Sequence, residues 1–158
     1  MTVTTASAHV ILDRKMSSPG SYKAIFGVPH GCSGSATTEL TIVIPEGFIG
    51  VKPAPKPGWT LSVERGPYAR SYDYFHGSKL AEGAKRVTWT GGPLADEHYD
   101  EFILIGFFSD AFKPKSKVYF AVEQRCGDVT VNWDQIPAKG QDAHDLKTPA
   151  PAVRIEAK

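Results

Sequence analysis

His9 is the residue whose position carries the most chemistry. It follows Ala6-Ser7-Ala8, an A-x-A pattern of the kind a signal peptidase cleaves. Cleavage behind Ala8 makes His9 the first residue, and its free α-amine and its Nδ1 can then close a six-membered ring on one metal ion. An α-amine titrates near ~7.7–8.0, so a metal displaces its proton close to neutrality. Two nitrogens in one plane with a carboxylate oxygen suit tetragonal Cu(II), which binds such sites more tightly than its neighbouring divalent ions. With residue 8 attached the nitrogen is an amide and the chelate does not exist. The basic and apolar parts of a signal peptide do not precede the A-x-A pattern, so residues 1–8 read as the tail of a leader or a tag, with a plain small-residue arm as the competing reading. The leader reading makes the chain an exported, periplasmic protein.

The densest polar segment is Asp96-Glu97-His98-Tyr99-Asp100-Glu101, four carboxylates and a histidine directly before the most apolar run of the chain. It is a source of hard metal ligands or, on the competing reading, a solvated turn. Glu101 abuts Phe102 where the apolar run begins, and a carboxylate held near a core is costly unless a cation is beside it. His98 is a further candidate ligand. His30, between Pro29 and Gly31, reads as a loop residue bonded to backbone; His76 reads as the surface of a hairpin; and His144, in Asp142-Ala143-His144-Asp145, reads as structural. Enzyme motifs are missing. Gly31-Cys32-Ser33-Gly34-Ser35 breaks the nucleophile-elbow pattern at Ser35, and no H-E-x-x-H, C-x-x-C, P-loop or G-x-G-x-x-G occurs. The reading is a binding protein, not an enzyme.

The elements that must carry these residues are strands. Tyr22, Ala24, Phe26 and Val28 alternate on one face; so do Leu40, Ile42 and Ile44; Trp59, Leu61 and Val63; Val87 and Trp89; Val118, Phe120 and Val122; Val129, Val131 and Trp133; and Val153 with Ile155. Phe102–Phe108 is apolar on both faces and reads as a central strand. Turn signals such as Pro45-Glu46-Gly47 and Gly91-Gly92-Pro93 stand between the runs, and 15 glycines and 12 prolines supply them. Nine or ten short strands predict an antiparallel β-sandwich. Lys52–Pro57, with proline at alternate positions, predicts extended polyproline-like backbone, and residues 136–149 predict a long loop tied by its own side chains.

With 158 residues the chain reads as one domain over 9–158. Lys and Arg number 18 against 17 Asp and Glu, a net charge of +1 that argues against a nucleic-acid or anionic-membrane footprint. No apolar run approaches the ~20 residues of a membrane span. Cys32 and Cys126 are too far apart for a C-x-x-C metal site; they read as one long-range disulfide in an oxidising compartment or as two buried thiols.

The motifs together resemble the DUF1775, or YcnI-like, family of exported bacterial copper-binding proteins. The matching segments are Ala8-His9-Val10; Val28–Thr38, which contains Pro29-His30-Gly31-Cys32; Ile44-Pro45-Glu46-Gly47; Lys56-Pro57-Gly58-Trp59; Val87–Gly92; His98–Phe102; and Asn132-Trp133 with Pro149-Ala150-Pro151. The likeness spans His9 to Ile155 and is strongest to the proteobacterial branch. It implies an immunoglobulin-like β-sandwich holding one Cu(II) through a single-histidine brace: His9 by amine and imidazole, Glu101 as the acid, and Trp133 beside the ion. The expected role is a copper chaperone or buffer, with other periplasmic or membrane copper-handling proteins as partners. Indole N–H has no lone pair to give, so the expected role of Trp133 is to wall off one side of the ion. Two readings compete: a copper-dependent oxidative enzyme of the monooxygenase type, which needs a second histidine from His98, His30 or His144, and a metal-free immunoglobulin-like adhesion or assembly module.

Overall fold

The structure, a computed structural model, describes residues 9–157. Residues 1–8, and with them the A-x-A pattern, lie outside the described residues.

Alternating apolar residues produce three sheets. Strands β1 (Ile11–Leu12), β3 (Gly20–Val28), β8 (Asp100–Phe108) and β5 (Phe48–Pro53) form a four-stranded antiparallel sheet in the order β1-β3-β8-β5. Strands β11 (Val129–Trp133), β10 (Ala121–Cys126), β4 (Thr37–Val43), β7 (Lys79–Leu94) and β6 (Trp59–Asp73) form the facing sheet in the order β11-β10-β4-β7-β6. A third, small sheet joins β2 (Met16–Ser17), β12 (Ala152–Ile155) and β9 (Lys117–Tyr119). Among the described residues the only helical turns are two 3-10 turns, at Phe75–Gly77 and Ala143–Asp145.

The core lies between the sheets. Tyr22, Phe26, Phe48, Phe102 and Leu104 project from one side, and Leu40, Ile42, Val87, Trp89 and Val122 from the other. Phe120, Val153 and Ile155 close the end. Most of the alternating faces read from the sequence are the buried faces here, and each aliphatic or aromatic side chain so buried contributes about 1.5–3 kcal/mol; Trp59, Leu61, Val63 and Val131 are only partly covered, and Val129, at the start of edge strand β11, is 50% exposed. As expected, β8 is central, running between β3 and β5.

Two expectations change. Lys52 and Pro53 do not stand apart as polyproline backbone; they pair with Ile105 and Leu104 as the end of β5. Proline is tolerated there because β5 is an edge strand. The chain leaves the sheet only after Ala54, whose N–H reaches the Ile103 carbonyl and whose carbonyl accepts from Trp89 Nε1. The strands at Trp59 and Val87 are also far longer than their apolar alternation. They run to Asp73 and from Lys79 as one hairpin of 15 and 16 residues. Its outer half is polar and is held by cross-strand pairs, among them Lys79–Asp73 and Arg86–Glu64, and by a separate cluster of Ile49, Tyr68 and Tyr72.

Candidate functional site

Edge strand β1 sets the position of His9. Val10 and Leu12 are 3% and 2% exposed and anchor the segment in the core. Ile11 pairs with Gly27 and Leu12 with Phe26, which fixes the register of the chain running back to His9. His9 meets Trp133 there, with ring centroids 5.6 Å apart and planes at 54°. Trp133 ends β11, is buried, and presents a second edge to His30 at 6.2 Å. Burial holds the His9 imidazole below its ordinary pKa, and the neighbouring charges of His144 and His30 push the same way. The favoured form at neutral pH is therefore the neutral imidazole, the form that ligates metals.

The sequence reading assigned no role to the residue that organises this corner. Gln124 is 0% exposed on β10. Its Oε1 accepts from Trp133 Nε1 at 3.0 Å, while its Nε2 donates to the His30 carbonyl and to Thr37 Oγ1, each at 2.8 Å. One amide thus ties the Trp133 ring to the loop that carries His30. The signal was present: in Val122-Glu123-Gln124-Arg125-Cys126 the inward positions are Val122, Gln124 and Cys126, and an amide on an apolar face needs buried partners. The same loop is fastened twice more. Cys32 and Cys126 form a disulfide with Cα atoms 5.8 Å apart, so the bridged reading holds over buried thiols. Gly31 N–H donates to Asp96 Oδ1 at 2.9 Å.

Glu101 lies in one cross-strand row with Gly27 and Ile11, two residues beyond His9 along β1. The inward residues of β8 are Phe102 and Leu104, so Glu101 does not enter the core. Its Oε1 accepts from the Tyr99 hydroxyl at 3.0 Å. The Tyr99 ring crosses Gly27, where a Cβ would come within 2.7 Å of that hydroxyl, so only glycine admits the contact. Burial raises the Tyr99 pKa, and the bond to Glu101 raises it further.

The rest of the acidic run is dispersed. Asp100 pairs with Lys56 Nζ at 2.6 Å and caps the Glu101 N–H; Asp96 serves Gly31; Glu97 and His98 are exposed. Among the described residues no group of three or more His, Cys, Asp or Glu side chains is arranged to hold a metal ion. The structure brings His9, Trp133, His30 and His144 together and gives the Glu101 carboxylate to Tyr99. His30 Nδ1 lies against the Gly31 carbonyl, matching its reading as a backbone-bonded loop residue, and His76 sits exposed at the hairpin tip. The 136–149 loop is tied by its own side chains: Asp142 accepts from His144 N–H, and Gln141 Oε1 from Ala138 N–H; Gln135, just before it, accepts from Thr148 N–H. A cavity of about 250 Å³ opens beside His9 and His144, rimmed by Lys15, Lys117 and Arg154, with no Asp or Glu among the described residues that line it.

The class these features define is an immunoglobulin-like β-sandwich with a histidine–tryptophan corner at one rim. The chain belongs to the DUF1775 family, described as a domain of unknown function, whose model matches residues 9–155. A solved structure similar to it is an uncharacterized protein from Nocardia farcinica with an immunoglobulin-like fold. That protein is 26% identical, with a TM-score of 0.69, over 94% of this chain and 99% of that one. No curated protein matches the sequence.

Proposed function

We propose that the chain is an exported Cu(II)-binding protein that carries or buffers copper, and that the ion is its cargo. The observation that carries this reading is His9 packed against buried Trp133 with its imidazole biased toward the neutral form. The donor chemistry fits. A chelate from one histidine's own amine and Nδ1 needs a single further side chain, so it does not require three clustered ligands. Glu101 is proposed as that oxygen donor, released from Tyr99, and Trp133 as the wall that limits access by solvent and reductant.

The deciding comparison is protein beginning at His9 against protein with one extra residue before it. The extension keeps the imidazole, the carboxylate and the fold but converts the amine to an amide. Cu(II) affinity is expected to fall by orders of magnitude, and the paramagnetic resonance spectrum to lose one nitrogen donor. Equal affinity with an identical spectrum would remove the brace from the account.

A further inference from the structure

The outer face of the β1-β3-β8-β5 sheet carries a larger concavity, about 740 Å³, that shares no lining residue with the cavity beside His9. Its floor is a cross-strand row. Ile105 on β8 pairs with Lys23 on β3 and with Lys52 on β5, so two lysines flank an isoleucine that is 49% exposed. Arg14 adds a third cation at the margin. No Asp or Glu lines the cavity, and among the described residues none of the three cations makes an ion pair. Lys23 and Lys52 stand one strand to either side of Ile105, and Arg14 lies over the Tyr22 ring, so the three cations are spread around the floor.

The wall comes from the tip of the β6–β7 hairpin, folded back over the sheet. Tyr74 and Phe75 both pack edge-on against Phe107, at 5.7 and 5.1 Å, and Tyr74 lies on Gly50. Gly50 has φ +60, and a Cβ there would come within 2.7 Å of the Tyr74 hydroxyl, so the backbone itself makes room for the ring. The aromatic wall is therefore held by the fold, while Phe75 remains 45% exposed. A fixed aromatic wall, an apolar floor and three unneutralised cations within one concavity of ligand size are the parts of a site for a small amphipathic anion.

We propose that this cavity binds an organic anion with a flat apolar body, the body resting on Ile105 against Phe75 and its carboxylate, sulfonate or phosphate head reached by Lys23 and Lys52. The reading is independent of copper. Its test uses anilinonaphthalene sulfonate and, as the uncharged body alone, N-phenylnaphthylamine, followed by nuclear magnetic resonance and fluorescence titration. The sulfonate is expected to saturate one site, shift the resonances of Lys23, Phe75 and Ile105, and bind on the order of tenfold or more tighter than the neutral amine. Lys23→Glu with Lys52→Glu should weaken the sulfonate by a similar factor and leave the amine unchanged; Phe75→Ala should weaken both. All three side chains are exposed, and amide spectra report whether each variant keeps the fold. Shifts confined to another surface, or equal sulfonate affinity in the charge-reversed protein, would overturn the assignment.

Discussion

At the scale of single residues, the corner around His9 depends on a buried amide, Gln124, that holds both Trp133 and the loop of His30. Gln124→Leu removes the acceptor of the buried Trp133 N–H and the donor to the His30 carbonyl, and leucine offers neither. Stranding buried polar partners costs about 1–3 kcal/mol each. The expected loss is about 3 kcal/mol by denaturant unfolding, together with an altered Trp133 fluorescence in the folded state; a change below about 0.5 kcal/mol would show that water replaces the amide there. The two neighbouring acids should separate cleanly. Glu101→Gln is expected to weaken Cu(II) binding in protein that starts at His9 while leaving unfolding nearly unchanged. Asp100→Asn should leave copper affinity alone and lower stability, because Asp100 faces Lys56 across to the β5–β6 connection. The reverse pattern in copper titrations would transfer the oxygen ligand to Asp100. His9 was legible because its chemistry depends on chain position and a short sequence pattern. His30 and His144 were read as structural, since their approach to His9 comes from loops whose course no periodicity encodes.

Elements impose a second set of expectations. The Cys32–Cys126 bridge joins the loop after β3 to the end of β10 across 94 residues of sequence. Closing a loop of that length restricts the unfolded chain by about 4–5 kcal/mol in the chain-entropy picture. Replacing both cysteines by serine should remove a large share of the stability, and thiol labelling of denatured, unreduced protein should find no free cysteine. Glu46 plays the corresponding part for the long hairpin. Burial alone would raise its pKa, but bonds from the Ala69 N–H, the Tyr72 hydroxyl and Lys85 hold it below the ordinary 4.5. A carboxylate lowered in the folded state stabilises fully above its unfolded pKa, and that contribution is lost as pH falls through the folded value. The thermal advantage of wild type over Glu46→Gln should therefore be complete near neutrality and shrink on the acid side of pH 4.5. An advantage that grows with acidity would contradict the sign. The strands legible in the sequence were those with one apolar face, such as β3, β4 and β8. The outer half of the β6–β7 hairpin was not, because most of Glu64–Asp73 and Lys79–Arg86 faces solvent, its few buried side chains (Tyr68, Tyr72 and Ala84) are too widely spaced to set a hydrophobic period, and register shifts interrupt the pairing.

Over the whole molecule a net charge of +1 conceals an uneven distribution. Several acids are held in ion pairs such as Glu46–Lys85, Asp100–Lys56 and Glu123–Arg86, whereas the Lys, Arg, Asp and Glu residues among the described lining of the cavity beside His9 are Lys15, Lys117 and Arg154. A dication approaching such a rim from water is repelled, and an anionic carrier is attracted. The repulsion reaches ~30 Å at 0.01 M salt and only ~8 Å at 0.15 M. Loading of protein that begins at His9 should therefore respond to salt in opposite directions for two copper sources. Supplied as the aqua ion in a weakly coordinating buffer, copper should bind faster as salt is added, because screening removes the barrier. Supplied as its anionic citrate complex, it should bind more slowly as salt is added, because screening removes the attraction. Lys117→Glu should flatten both dependences without changing the resonance spectrum of the loaded protein, since the substitution alters the approach and not the ligands. Stopped-flow quenching of Trp133 measures all four rates. Salt-independent loading from both sources would mean that copper enters His9 by a route that does not pass this rim.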